Sequence, residues 1–374
     1  SVAWLKLQEN DFQVSALNHS GANDEDRDLL AGYVDYKFCP TSKIRFFYAY
    51  DRIREVPSLD LLGALASQAD LADYAGIYGN NGVSKSKATS PDTNAHTVGA
   101  YYLGKIGKFG FLAEGAYKFG TAENTGLKGV YNGVHTIQYD DFDIESYAFA
   151  ADLSLELKDM IGWESLKPHI GIMYTSGDTD STDDKLGGYN GVENAQRFSE
   201  IWGGENTVLG DTNFVYGSAL YGYIPEFHGN GTPVFVGGLQ NFAGNGNGRG
   251  DNPGITMISA GITVRPRIYL IYRSNVNMFS WNEDIYVSNM VDPITTEVMA
   301  SGTKKSYTKV EAGYAGTAWD NEVTLALSKH MFLKGQFSFF FPGEVIKDVT
   351  KAISGGTESD ETATRVAAEL IWNF

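Results

Sequence analysis

The closing residues of the chain alternate. Val366, Ala368, Leu370, Trp372 and Phe374 are apolar, whereas the interleaved Arg365, Ala367, Glu369, Ile371 and Asn373 are mostly polar. A period of two belongs to a strand with two different faces. The pattern recurs upstream. Tyr147, Phe149, Ala151, Leu153, Leu155 and Leu157 oppose Ser146, Ala148, Ala150, Asp152, Ser154 and Glu156. Phe109, Phe111, Ala113, Tyr117 and Phe119 oppose Glu114 and Lys118. Ile44, Phe46, Tyr48 and Tyr50 oppose Arg45, Phe47, Ala49 and Asp51; Leu333, Phe337, Phe339 and Phe341 oppose Lys334, Gln336 and Ser338. Helical winding, at 100° per residue, would mix each pair of sets. Runs of this kind predict about thirteen strands: 1–8, 11–18, 29–38, 43–53, 96–104, 109–119, 144–157, 167–176, 255–264, 267–276, 319–329, 332–341 and 362–374.

The joints between strands differ in length. Four are short (38–43, 103–110, 264–269 and 327–333) and one, 158–167, is a little longer. Between these pairs lie long, polar, glycine-rich segments at 56–94, 120–143, 177–254, 279–305 and 342–360. Short periplasmic turns alternating with long extracellular loops mark a bacterial outer-membrane barrel; a soluble sandwich has no reason to gather its long loops at one end. The expected fold is therefore all-β: residues 1–374 form one transmembrane antiparallel up-and-down β-barrel domain of a Gram-negative outer membrane. No run of eighteen apolar residues exists, so helical spans are excluded. An aromatic strand ending at Trp372 and Phe374 resembles the C-terminal signature of outer-membrane proteins. Thirteen strands is an odd number, and single-chain bacterial barrels have even ones. A strand missed near 305–315, or strands preceding Ser1, would restore parity, since an open edge cannot be left in lipid.

Several segments, in order, resemble the alginate-export family of outer-membrane barrels. They are "DRDLLAGYVDYKFCPTSKIRFFYAYDR", "HTVGAYYLGKIGKFGFLAEGAYKFG", "SYAFAADLSLEL" with "LKPHIGIMYTSGD", "FSFFFPGEVIKD" and the closing "ELIWNF". The likeness spans most of the chain outside its long loops. It implies an eighteen-stranded barrel whose first strands, about five, would precede "SVAWLKLQE". It also implies passage of a polyanion through a pore lined with basic residues.

The residues allow that last expectation to be examined. On the polar faces, seven basic positions (Lys6, Lys37, Arg45, Lys118, Arg273, Lys334 and Arg365) meet six acidic ones: Asp35, Asp51, Glu114, Asp152, Glu156 and Glu369. The predicted lumen is thus nearly neutral, and its charges can pair across neighbouring strands. The chain carries a net charge of −17, so the acidity is assigned to loops and turns. An acidic mouth concentrates cations and repels an alginate-like polymer.

In "SGDTDSTDD", Asp178, Asp180, Asp183 and Asp184 offer oxygen ligands suited to Ca²⁺, although an acidic solvated loop is the alternative. No other cofactor is expected. Residues 58–76 have helical spacing and suggest a short helix at the rim or in the pore; the stretch 214–227 is expected to narrow the mouth. The single cysteine, Cys39, precludes an intrachain disulfide and reads as a turn residue.

None of the six histidines (His19, His96, His135, His169, His228 and His330) lies in a catalytic motif, so no enzyme is expected. His169 and His330 read as interfacial polar residues. The acidic balance disfavours nucleic acid. The function expected is an outer-membrane channel, porin-like for small hydrophilic solutes or exporting a polysaccharide. The alternatives are a sheath around a partner such as a periplasmic electron carrier, or a loop-based receptor or adhesin. Expected partners are outer-membrane lipid, the barrel-assembly machinery, and small-molecule or polysaccharide cargo.

Overall fold

A computed structural model describes residues 2–8, 27–53, 92–124, 128, 138–158, 162–180, 183–189, 253–288, 307–354 and 356–372. Fifteen strands and one helix are assigned among them. The first seven strands are β1 (Val2–Gln8), β2 (Arg27–Cys39), β3 (Ser42–Ile53), β4 (Asp92–Ile106), β5 (Phe109–Glu123), β6 (Phe142–Leu155) and β7 (Ser165–Thr175). After the two-residue β8 (Lys185–Leu186) come β9 (Ile255–Arg267), β10 (Leu270–Trp281), β11 (Ile285–Ser288) and β12 (Tyr307–Val310). The chain closes with β13 (Gly313–Ala326), β14 (Met331–Pro342), the helix α1 (Glu344–Ser354) and β15 (Ala363–Trp372).

Thirteen strands share one sheet, in the order β1-β2-β3-β4-β5-β6-β7-β9-β10-β13-β14-β15, with β8 off the path beside β6. All pairs along that path are antiparallel. This is an up-and-down meander, as the alternation predicts. The predicted strand 11–18 lies outside the described residues, and β1 pairs directly with β2. Among the described residues the path has twelve strands and β8 makes thirteen in the sheet, in line with the expected count of about thirteen. Near 305–315 the described residues hold β12, which among them pairs with β11 in a separate two-stranded sheet and not with the wall. Among the described residues no ladder joins β1 to β15.

Connections alternate along the whole path. The strand ends joined by residues 40–41, 107–108, 156–164, 268–269 and 327–330 lie on one side of the sheet; the ends joined by 9–26, 54–91, 124–141, 176–254, 282–312 and 343–362 lie on the other. The Leu157–Leu166 bridge tightens the longest of the short turns. Cys39 is exposed where β2 meets its turn, as expected of a turn residue.

The outer face is apolar. Val34, Phe46, Val98, Phe149, Ile170, Ile172, Ile258, Val276 and Val366 are exposed there. Aromatic rings collect near the long-loop ends, where Tyr50, His96, Phe119 and Tyr117 stack in sequence, Tyr147 and Phe149 flank Tyr174, and Trp319 stacks on Phe339. Tyr36, Phe38, Phe109, Tyr269 and Trp372 do the same near the short turns. Two aromatic girdles bounding an apolar band are the outer surface of a membrane-spanning strand protein. Trp372 is exposed among them; Phe374 lies outside the described residues. No helix among the described residues is long and apolar enough to cross a membrane.

Candidate functional site

The inner face is built by register. Antiparallel partners share a face, so Asp35–Arg45, Glu114–Ala150, Arg273–Glu322 and Lys334–Glu369 pairings carry one polar stripe around the sheet. The positions of Asp35, Lys37, Arg45, Asp51, Glu114, Lys118, Asp152, Arg273, Lys334, Arg365 and Glu369 all share this face by register. Glu156 sits just beyond β6 at the short-turn rim, in an ion pair with Lys105 and, at 3.3 Å, with Lys158. These two ammonium groups, Lys105 foremost, hold its carboxyl below the usual range. Lys6 is a correction. Its position pairs Asp28, in phase with Leu30 and Val34 on the apolar face, and a register shift between Lys6 and Gln8 breaks the simple alternation.

On β2 to β5 the stripe is partly open to solvent. Arg45 donates through Nε to Asp35 Oδ1 at 2.6 Å and through Nη2 to Oδ2 at 2.8 Å, a forked pair, while its guanidinium lies 4.0 Å from the Tyr33 ring centre. On β6 to β15 the polar groups are buried against one another. His169 Nδ1 lies 2.8 Å from Asp152 Oδ2, and Nε2 lies 2.7 Å from Asn275 Oδ1. The ring spans β9 because Gly261 stands between: a Cβ there would lie 1.8 Å from Asn275 Oδ1 and 2.3 Å from His169 Nε2. Its side chain is only 6% exposed, so His169 is a wall residue and not the interfacial group expected.

Two more clusters continue the stripe. Ser259 Oγ donates to Asn277 Oδ1 at 2.6 Å, and Asn277 Nδ2 donates to Asp320 Oδ2 at 3.1 Å. Glu322 accepts from Arg273 at 2.5 Å and Gln336 at 3.1 Å, and Lys334 stands 3.8 Å from Glu322 and 3.5 Å from Glu369. Asn275, Asn277, Asp320 and Glu322 were not among the predicted lining residues, whereas Gln336 was placed on the polar face. The signal that finds Glu322 is the β10–β13 register, which sets it opposite Arg273.

Toward the long-loop end the stripe turns apolar. Met173, Ile255, Met257, Phe279, Trp281, Ala315, Ala318 and Phe340 form one cluster with Tyr189, Val310 and the α1 residues Val345, Ile346, Val349 and Ala352. Residues 342–360, expected as loop, thus contain a helix that packs on the inner side of β13 and against the β11–β12 hairpin. Its spacing supports this: positions 345, 346, 349 and 352 share one helical face. Glu344 in the first turn and Lys351 in the last suit the helix dipole. Burying Val345, Ile346 and Val349 stabilises this placement by roughly 1.5–3 kcal/mol each. Asp284 anchors the hairpin base, accepting from Ala312 N at 2.7 Å and pairing with Lys309 at 2.6 Å. Those contacts, Lys309 first, hold its carboxyl below the usual range, whereas burial and then the Asp284 charge push Glu283 up.

The four candidate calcium ligands do not converge. Asp178 accepts from the Asp180 and Gly187 backbone amides, Asp183 accepts from Lys185 N, and no group of three metal-binding side chains forms among the described residues. The predicted helix 58–76 and the stretch 214–227 lie outside the described residues.

No family model matches the chain, and no curated protein is similar to it in sequence. Solved structures with a similar strand arrangement include the ferric enterobactin receptor of Pseudomonas aeruginosa bound to enterobactin, at TM-score 0.38 and 11% identity over 85% of this chain and 34% of that one. The FrpB iron transporter of Neisseria meningitidis gives TM-score 0.33 and 9% identity over 93% and 43%. The CymD monoaromatic hydrocarbon channel gives 0.29 and 10% over 85% and 70%. The chain spans between a third and a half of the length of the first two. Likeness at this level carries no argument about cargo. The girdled apolar face does carry one about place: this is an outer-membrane protein, its strands lying in lipid.

Charge follows the topology. The short-turn segments 37–43, 105–108, 156–167, 265–269 and 327–331 contain nine basic and three acidic residues, whereas the six long connections contain thirty-one acidic and twelve basic. The acidity expected of loops and turns alike belongs to the long loops only.

Proposed function

We propose that this chain forms an outer-membrane channel for hydrophilic solutes, narrowed on its long-loop side by α1 and the β11–β12 hairpin. The observation that carries this reading is the inner face itself: a nearly balanced, hydrogen-bonded polar stripe runs from the short-turn rim up to an apolar constriction. Paired charges offer a passing solute hydrogen-bonding surface without a fixed charge to trap it. Planar-bilayer recording on the full-length protein tests the reading. The expected result is steady conductance that rises when residues 344–354 are replaced by a Gly-Ser segment. A closed membrane with both forms would overturn it and favour a sheath or a loop-based receptor.

One observation favours a second reading, export of a polyanionic polysaccharide, to which the alginate-export resemblance also points. By register Lys37, Lys43, Lys105, Lys167 and Arg265 lie at the short-turn mouth in phase with the lumen. A basic entrance and an acidic exit would draw a polyanion in from the periplasm and resist its return. Anion selectivity with block by alginate oligomers from the short-turn side supports export; cation selectivity supports the small-solute channel.

A further inference from the structure

The outer face contains an apolar groove of about 670 Å³ lined by Tyr102, Ile106, Phe111, Ala113, Leu153 and Ile258, among others. Its floor is made by small side chains, Ala113 and Ala151, between ridges of larger ones. It crosses β4, β5, β6, β7 and β9, a span of about 19 Å at ~4.8 Å per strand step. One end is Ile106, the last residue of β4 at the short-turn rim; the other is Ile258, well up β9 toward the long loops. The groove therefore runs from the membrane surface into the hydrocarbon.

The rim at the Ile106 end is cationic. Lys105 and Lys108 flank Ile106, and the Lys108 carbonyl accepts from Glu156 N at 2.7 Å, which sets the turn beside Lys158. Glu156 is taken up by Lys105 and Lys158. Among the described residues Lys108 has no acidic partner. The rim at the mouth of the apolar trough thus holds three ammonium groups to one carboxylate, with Lys108 outside the Glu156 pairs.

We infer that this groove seats an acyl chain of an anionic phospholipid of the periplasmic leaflet, with its phosphate at Lys108 and Lys158. The inference rests on the membrane-spanning reading. The trough supplies hydrocarbon contact and the rim supplies the charge that a zwitterionic headgroup matches less well.

The test uses the full-length protein reconstituted in vesicles of equal parts phosphatidylcholine and phosphatidylglycerol, followed by native mass spectrometry after mild detergent extraction. The expected result is one retained phosphatidylglycerol, favoured over phosphatidylcholine by about fivefold or more for each ammonium engaged. Lys108→Glu is expected to abolish the headgroup preference. Ala151→Trp, which fills the floor without changing charge, is expected to abolish retention of either lipid. Ala113→Leu provides a milder filling should the larger ring impair assembly. Equal retention of the two lipids by the wild type overturns the inference, as does undiminished retention in both filled variants. A dimer lost on filling the groove also overturns it, assigning the trough to contact between copies. Failure to insert into vesicles at all would instead remove the membrane reading beneath it.

Discussion

Glu322 offers the sharpest test of the inner wall. Its carboxylate is 4% exposed and serves Arg273, Gln336 and Lys334, whose side chains Arg273 and Lys334 are themselves 13% and 7% exposed. Glu322→Ala leaves two nearly buried cations short of their shared anion. Removing one member of a buried pair typically costs about 3–5 kcal/mol, because the remaining charge stays desolvated. Lys334 retains Glu369 at 3.5 Å, and Glu369 is 46% exposed, so some solvent reaches that side. The expected loss therefore falls at the low end, about 3 kcal/mol. Replacing all three ions together (Arg273→Met, Glu322→Leu, Lys334→Met) is expected to recover most of it, since a volume-matched apolar set carries no desolvation cost. Both values are read from equilibrium urea unfolding in lipid vesicles followed by tryptophan fluorescence. A Glu322→Ala variant within about 1 kcal/mol of wild type would show that lumen water already solvates these cations. A triple variant as unstable as the single one would show that the cluster's charge is not the cause.

Other outcomes follow from the same geometry. Val349 is fully buried in the inner bundle; Val349→Asp sets an unpaired carboxylate there at a cost of several kcal/mol, so α1 is expected to detach, with conductance rising and protease cutting within 344–354. Unchanged conductance would dissociate the bundle from the constriction. Gly261→Ala is expected to lose about 1–3 kcal/mol in the unfolding assay by driving a methyl between His169 and Asn275; a neutral result would mean that contact is not rigid. The hairpin base should respond to pH in two steps. Glu283 is raised, so its protonation as pH falls favours the folded base, whereas Asp284 is depressed and withdraws its contribution only as pH falls below the ordinary aspartate range. Current noise should therefore diminish on mild acidification and return below that point, and Glu283→Gln should be quiet throughout. A Gln variant with the wild-type pH response would disprove the assignment.

The wall was legible because every wall strand but β1 spans ten or more residues and must present lipid on one side and water on the other. Nothing in a soluble sheet forces so sustained a contrast, and boundaries in β3, β5 and β14 fell within a few residues of their predicted places. What lay between the wall strands was less legible. α1 carries its helical spacing openly, yet eleven residues inside a polar, glycine-containing segment were outweighed by the expectation of a loop. The four-residue β11 and β12 are shorter than any period can declare. His169 was undervalued because its partners stand 17 and 106 residues away: Asp152 on the neighbouring β6, and Asn275 on β10, reached across a glycine of β9.

The charge distribution ties these levels together. The net charge of −17 was assigned to loops and turns alike, but the short turns are basic, the long loops acidic and the wall between them nearly balanced. That arrangement is invisible in composition and needs only the topology to appear, since assigning each connection to its side sorts the charges. It also gives the lumen a direction. A cation meeting the long-loop face is attracted and then finds a basic exit; an anion experiences the reverse. If the polar stripe is a passage, current carried by anions from the short-turn side should exceed the opposite flow, and the excess should shrink as salt shortens the Debye length from about 10 Å at 0.1 M to about 3 Å at 1 M. A rectification indifferent to salt would place its origin in the constriction's shape instead of the two charged rims.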